Sequence, residues 1–102
     1  MIVIVDYGMG NFGSMLNMFN RIGVEAGIEA DPTKLRNATK LILPGVGAFD
    51  AAMSRIAAVT GLRAMLDEKV LVERVPVLGV CLGMQLLTRG SEEGTLPGLG
   101  WI

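Results

Sequence analysis

The stretch Pro76-Val77-Leu78-Gly79-Val80-Cys81-Leu82-Gly83-Met84-Gln85-Leu86-Leu87 decides how this chain folds. One apolar run, Pro76 to Val80, meets a second, Leu82 to Leu87, and the single cysteine stands at the junction with a glycine two residues to either side. A short, continuous apolar run ended by turn residues suits a strand covered on both faces. The G-x-Cys-x-G spacing suits a sharp strand-to-helix turn. In such a turn the apical residue takes a strained backbone conformation, and the flanking glycines let neighbouring segments pack close. The thiol then projects from the end of the sheet. The mouth of the following helix favours a thiolate there, and the amide of Leu82 is placed to donate to an oxyanion. The competing reading is an inert cysteine in an apolar strand. The paired glycines and the strand-helix context favour the nucleophile.

Moving outward, three further strands are predicted. Ile2–Val5 is a continuous β-branched run, Val24–Ile28 is a short second run, and Lys40–Leu43 is halted by Pro44 and Gly45. Met15, Leu16, Met18, Phe19 and Ile22 follow helical spacing, with Gly23 placed to end the helix. Asp31-Pro32 marks a turn and helix start. Ala48–Ala58 is helix-compatible, Gly61 breaks it, and Leu62, Met65, Leu66 and Val70 form another amphipathic stripe. The glycine-rich tail from Gly90 to Ile102 reads as loop. Strands alternating with helices predict an α/β fold with an open parallel sheet and helices on both faces. Right-handed crossovers bring the glycine turns Gly8–Gly13, Pro44–Gly47 and Gly79–Gly83 to one edge of that sheet.

Composition narrows the function. The 102 residues are 51% hydrophobic and 19% charged, with a net charge of −1, which excludes a disordered segment and gives no basic field for nucleic acid. One Cys and no His exclude a Cys-based structural zinc site and a Ser-His or Cys-His pair within these residues. The longest uncharged stretches, Tyr7–Asn20 and Val75–Thr88, have 14 residues each, short of a membrane span. No signal peptide is visible at the N-terminus. A cytoplasmic chain with a reduced thiol is expected.

Two other glycine turns carry chemistry. Gly8-Met9-Gly10-Asn11-Phe12-Gly13 matches G-x-G-x-x-G after a strand, and Glu29 and Asp31 follow Gly8 by 21 and 23 residues, near where a ribose-binding acid is expected. A dinucleotide-binding module using Gly8–Gly13 is therefore one alternative, although Asp6 beside the turn would repel a pyrophosphate. The alternative to both chemistries is an α/β interaction domain that keeps the elbow only for packing. Leu43-Pro44-Gly45-Val46-Gly47-Ala48-Phe49 ends the third strand with two glycines around Val46. In a parallel sheet that loop lies beside Cys81 and offers a second oxyanion donor.

Together, Asp6-Tyr7-Gly8-Met9-Gly10-Asn11, the Leu43–Phe49 segment and the Pro76–Leu87 stretch, with Gly98-Leu99-Gly100-Trp101 as a fourth, resemble the class I, triad-type glutamine amidotransferases. The likeness runs in order over essentially the whole chain. Within the class it is most similar to the glutaminase subunits of imidazole glycerol phosphate synthase, which act in histidine biosynthesis. The resemblance implies a flavodoxin- or Rossmann-like three-layer fold, truncated after the nucleophile elbow and its helix, so that residues 1–102 are the N-terminal part of a single amidotransferase domain. It implies that Cys81 attacks the carboxamide of glutamine and releases ammonia. Val46, Gly47 and Leu82 would form the oxyanion hole, with Val46 serving after a peptide reorientation, and Gly45 and Gln85 would contact glutamine. Gly10 and Asn11 would face a (β/α)₈-barrel cyclase that receives the ammonia in a heterodimer. No cofactor, metal, nucleic acid or membrane enters this scheme.

Two departures matter. Val80 stands where Ile is common, with no expected effect on the chemistry. The family's triad also has a His and a Glu, and this chain has no His. The chain by itself is therefore expected to be inactive, and its uncovered apolar sheet edge is expected to drive self-association. A paralogous glutaminase serving sugar amidation in surface polysaccharide synthesis is the alternative within the class, and Ser91-Glu92-Glu93-Gly94 resembles that group.

Overall fold

The computed structural model describes all 102 residues. Four strands, β1 (Ile2–Val5), β2 (Ala26–Glu29), β3 (Lys40–Leu43) and β4 (Val77–Gly79), form one sheet in the order β2-β1-β3-β4. All pairings are parallel: Ile4 lies opposite Ile28 and Ile42, and Ile42 lies opposite Leu78. The α-helices are α1 (Phe12–Arg21), α2 (Phe49–Ala58), α3 (Leu62–Asp67) and α4 (Leu82–Leu86).

The alternation of side chains along each strand divides the apolar residues between two faces. Val3, Val5, Leu41, Leu43 and Val77 point to the main core, which they share with Phe49, Ala52, Met53 and Ile56 of α2, Leu62, Met65 and Leu66 of α3, and Leu82 and Leu86 of α4. Ile2, Ile42 and Leu78 point the other way, toward Phe19 of α1, and line with it a shallow cavity of about 230 Å³. Ile4 and Ile42 are buried on that face, whereas Leu78 at the open β4 edge is 59% exposed.

Local chemistry accounts for most element ends. The Asn11 side chain accepts from Ser14 N at 3.4 Å, so α1 starts ahead of the first apolar repeat. At its other end Gly23 takes a φ of 73°, and Val24 N donates back to Phe19 O at 3.0 Å. Val24 therefore closes the helix and does not open β2, which begins at Ala26. Asp31 caps a 3₁₀ turn, Pro32–Asn37, by accepting from Thr33 N. Hydrogen bonds from the Thr33 side chain and backbone hold the Asp31 carboxyl below its usual range. The 90–102 tail is irregular, yet it is firmly tied. Leu99 N, Gly100 N and Trp101 N donate to Leu86 O, Thr88 O and Leu87 O, and Trp101 Nε1 donates to Asp67 at 2.8 Å.

After α3 the chain loosens into a π-helical turn, Glu68–Val72, that carries a buried lysine. Lys69 Nζ donates to Arg36 O at 2.9 Å and to Glu73 Oε1 at 3.1 Å, tying this turn to the 3₁₀ segment. Replacing Lys69 separates packing from hydrogen bonding. In the intact protein Lys69→Met keeps the volume but strands the Arg36 carbonyl, an expected loss of about 1–2 kcal/mol. Lys69→Ala also opens a cavity, for about 2–4 kcal/mol. Denaturant titration of the two variants measures the difference.

Candidate active site

Cys81 occupies the turn between β4 and α4 with φ 56° and ψ −124°, a left-handed conformation rare for a residue with a side chain. Its thiol is exposed. The apolar residues that follow it, Leu82 and Leu86, are buried and root α4 in the core. The glycines serve close approach. A Cβ on Gly79 would lie 2.6 Å from Met84 Cα, and one on Gly83 would collide with the Leu43 carbonyl. With neither present, the elbow settles directly on the end of β3.

That contact sets Cys81 beside the β3–α2 loop, as the parallel topology predicts. Val80 N donates to Leu43 O at 3.0 Å, and Leu82 N donates to Gly45 O at 3.2 Å. The second bond bears directly on the expected oxyanion hole. The Leu82 amide is already engaged by a carbonyl of the loop, so the Gly45–Val46 peptide presents its oxygen, and not the Val46 amide, to the elbow. The amides of Val46 and Gly47 have no partner in the chain, and both residues are exposed.

The same edge gathers the first glycine turn. Asn11, Ser14, Met15 and Met18 line a cleft of about 160 Å³ with Pro44, Gly45, Val46, Val80 and Cys81. Gly10 lies against Pro44, where a Cβ would approach the proline ring to 3.2 Å. Gln85 sits one turn beyond Cys81 on α4, exposed and outside this cleft. The turn is ill suited to a dinucleotide. Gly8 N donates to Asp6 Oδ1 at 2.9 Å, the Asn11 side chain caps α1, and Glu29 Oε2 accepts from the Ala30 and Asp31 amides at 3.0 Å. The Gly8 amide, the Asn11 side chain and the acid expected for ribose are thus committed internally. No group of three or more His, Cys, Asp or Glu is placed to hold a metal ion, and no helix is long and apolar enough to cross a membrane.

Two residues at this edge escape a sequence reading. Tyr7 is buried, and its Oη donates to Pro44 O at 2.6 Å. Burial pushes its phenol up to about 12. Asp50, in the first turn of α2, accepts from Thr95 N at 2.9 Å, Thr95 Oγ1 at 3.0 Å and Leu96 N at 3.0 Å. The Thr95 and Leu96 amides hold its carboxyl below the usual carboxylate range. An acid in a first helical turn is a visible signal, but its partners lie 45 and 46 residues away.

An exposed cysteine in a strained strand-to-helix turn, facing a glycine loop, has a geometry suited to acyl transfer. Residues 3–97 match the family model for glutamine amidotransferase class-I. This chain belongs to that family. Among curated relatives, it is 56% identical over 102 residues to "Imidazole glycerol phosphate synthase subunit HisH 2" of Methanococcus maripaludis and 53% identical to the protein of the same name from Pseudomonas aeruginosa. It is 49% identical to "Imidazole glycerol phosphate synthase subunit HisH" of Bdellovibrio bacteriovorus. These matches take in 100% of this chain and 50% of each relative, so the chain spans about half the length of the curated relatives it matches. A crystal structure described as a glutamine amidotransferase superposes with a TM-score of 0.77 at 24% identity, over 98% of this chain and 52% of that one. The shared fold is the open parallel sheet with its helices.

Two measurements probe this geometry. Gly83→Ala forces backbone against backbone, so the elbow has to lift from β3. The expected cost is about 3 kcal/mol or more in a denaturant titration. Tyr7 is the only tyrosine in these residues. An unfolded phenol ionises near 10 and the folded one near 12. The native state thus holds its proton where the unfolded state has lost it. Tyr7 is expected to leave stability flat below pH 10 and to make it fall between pH 10 and 12, a decline that Tyr7→Phe removes.

Proposed function

We propose that this chain is the nucleophile-bearing part of a glutaminase subunit of imidazole glycerol phosphate synthase. It would act in the cytoplasm as the N-terminal part of a single amidotransferase domain, paired with a (β/α)₈-barrel cyclase. The observation that carries the reading is the seat of Cys81: exposed, at φ 56°, with the adjoining Leu82 amide 3.2 Å from the Gly45 carbonyl of the facing loop. Names of relatives at 49–56% identity support the imidazole pathway as the destination of the ammonia.

In this reading the Cys81 thiolate adds to the carboxamide carbon of glutamine. The carbonyl oxygen becomes an oxyanion, which the Leu82 amide holds together with the Val46 amide. Both donors become available when the Gly45–Val46 peptide turns over, since that rotation removes the Gly45 oxygen from Leu82 and brings the Val46 N–H in. Gly47 flanks the moving peptide, and its φ of 93° suits a residue without a side chain. Collapse of the intermediate breaks the C–N bond. A proton goes to the departing nitrogen, ammonia leaves, and water hydrolyses the glutamyl thioester to glutamate. Gln85 and the Gly45 segment contact bound glutamine, and Gly10 and Asn11 meet the cyclase. These 102 residues contain no His, so the imidazole that moves the proton in this class lies outside them.

The test is ammonia release from glutamine by the full-length subunit with its cyclase partner. Cys81→Ala is expected to lower kcat by about 10⁴-fold or more, the scale set by removing a covalent nucleophile. Turnover surviving at the parent rate would remove Cys81 from the chemistry. The 102-residue polypeptide alone is expected to yield no measurable ammonia, because general acid–base catalysis is worth roughly 10²–10⁴-fold by itself.

A further inference from the structure

The loop that carries Val46 is anchored at both of its ends, and between them only the carbonyls of Gly45 and Ala48 are hydrogen-bonded. At its start, the Tyr7 hydroxyl donates to Pro44 O at 2.6 Å from the end of the neighbouring strand. Pro44 and Gly45 are buried there, and a Cβ on Gly45 would stand 2.6 Å from that hydroxyl. At its finish, Asp50 of α2 is fastened to Thr95 and Leu96 at 2.9–3.1 Å. Between these anchors Val46, Gly47 and Ala48 are exposed, and none of their amides has a partner in the chain. The one bond the middle makes to the elbow is Leu82 N to Gly45 O.

We infer that Tyr7 and Asp50 are positioning residues for the glutaminase reaction, fixing the two ends of the Pro44–Ala48 loop so that the Gly45–Val46 peptide turns between them as a unit. The inference rests on the glutaminase reading. Its physical content is a constraint on rotation. With the Pro44 carbonyl held, the Pro44–Gly45 peptide plane cannot follow its neighbour. With Phe49 buried in the core and Asp50 beside it fastened to Thr95 and Leu96, the helix start cannot follow either. Reorientation is then confined to the torsions on each side of one peptide, and the Val46 amide swings toward the place the Gly45 oxygen leaves. Free ends would let the whole loop drift, and the amide would reach the oxyanion in only a fraction of attempts. Interactions realised only in the transition state appear in kcat and not in KM.

The experiment uses the full-length subunit with its cyclase partner and three readouts. Tyr7→Phe keeps the ring and removes only the donor, and it is expected to lower glutaminase kcat by about tenfold with KM for glutamine within about twofold. Asp50→Ala should show the same split, and Asp50→Asn, which keeps one acceptor oxygen, should recover most of the loss. Alkylation of Cys81 by iodoacetamide needs the thiol but no oxyanion hole, so its rate should stay at the parent value in all three variants. Amide hydrogen exchange at Leu82 should quicken by about tenfold in Tyr7→Phe while Met84 is unaffected, because the loop that caps Leu82 has lost an anchor. Unchanged kcat with unchanged Leu82 exchange would overturn the inference. Equal losses in turnover and alkylation would also overturn it, because they mark a displaced elbow. If the parent complex releases no ammonia, the glutaminase reading fails, and the positioning role falls with it even if Leu82 exchange still reports the anchoring.

Discussion

Everything at this site depends on two backbones meeting without side chains between them. The end of β4 and the end of β3 are neighbours in a parallel sheet, so the segments that leave them run side by side. Gly83 lets the elbow come down onto the Leu43 carbonyl, and that approach brings Leu82 N to Gly45 O. The strained backbone at Cys81 costs about 1–3 kcal/mol. Burial of Leu82 and Leu86 in the core, together with the ladder bonds that flank the turn, offsets it. A cysteine set by this much surrounding structure has little freedom to move. Geometry at the rim is therefore inherited from packing beneath it.

The bond from Leu82 to Gly45 also explains how such a site rests. A bare amide facing the elbow would be an unsatisfied donor beside a partly apolar cleft. The loop carbonyl satisfies it, and in the proposed reaction it occupies the position the oxyanion needs. In the proposed reaction the two demands are separated in time. A neutral amide–carbonyl bond is worth about 1 kcal/mol net, and hydrogen bonds to an ionised acceptor are roughly twice as strong. Charge developing on the substrate can thus outbid the resting carbonyl for the Leu82 amide, and the Val46 amide adds to that preference. In that proposal the reoriented loop is favoured only when the charge is there to hold it.

Much of this architecture was legible in the residues. The bounds of β1 and β3 follow from β-branched or apolar runs closed by Asp6 and Pro44. The Cys81 turn follows from two glycines at fixed spacing. For β4 the ladder extends to both ends of the apolar run, since Leu41 N bonds Pro76 O and Val80 N bonds Leu43 O, although the regular strand is only Val77–Gly79. What was not legible is what depends on distant partners. β2 is set by pairing with β1 and by the use of Val24 in closing α1, so the local apolar run misplaces it by two residues at its start. Nothing local marks Lys69 for burial, since the Arg36 carbonyl that it meets is 33 residues away. The tethered tail has no periodicity to read, because backbone bonds to the α4 region order it.

Tyr7 and Asp50 belong to the same class of hidden residue, and their setting shows why the loop needs two different kinds of glycine. Gly47 is required by conformation: its φ of 93° lies where a side chain is strained whatever the space around it. Gly45 is required by volume, since Tyr7 Oη, Gly83 N and Leu82 Cβ all stand within 3.1 Å of where its Cβ would be. A side chain at either position would interfere with a different step. At 47 it would oppose the backbone shape the loop adopts. At 45 it would push the loop off both Tyr7 and the elbow, separating the anchor from the peptide it steadies. Sequence spacing alone marks both as turn glycines. Only the packing around them separates the residue that bends the loop from the one that lets it lie against the Cys81 elbow.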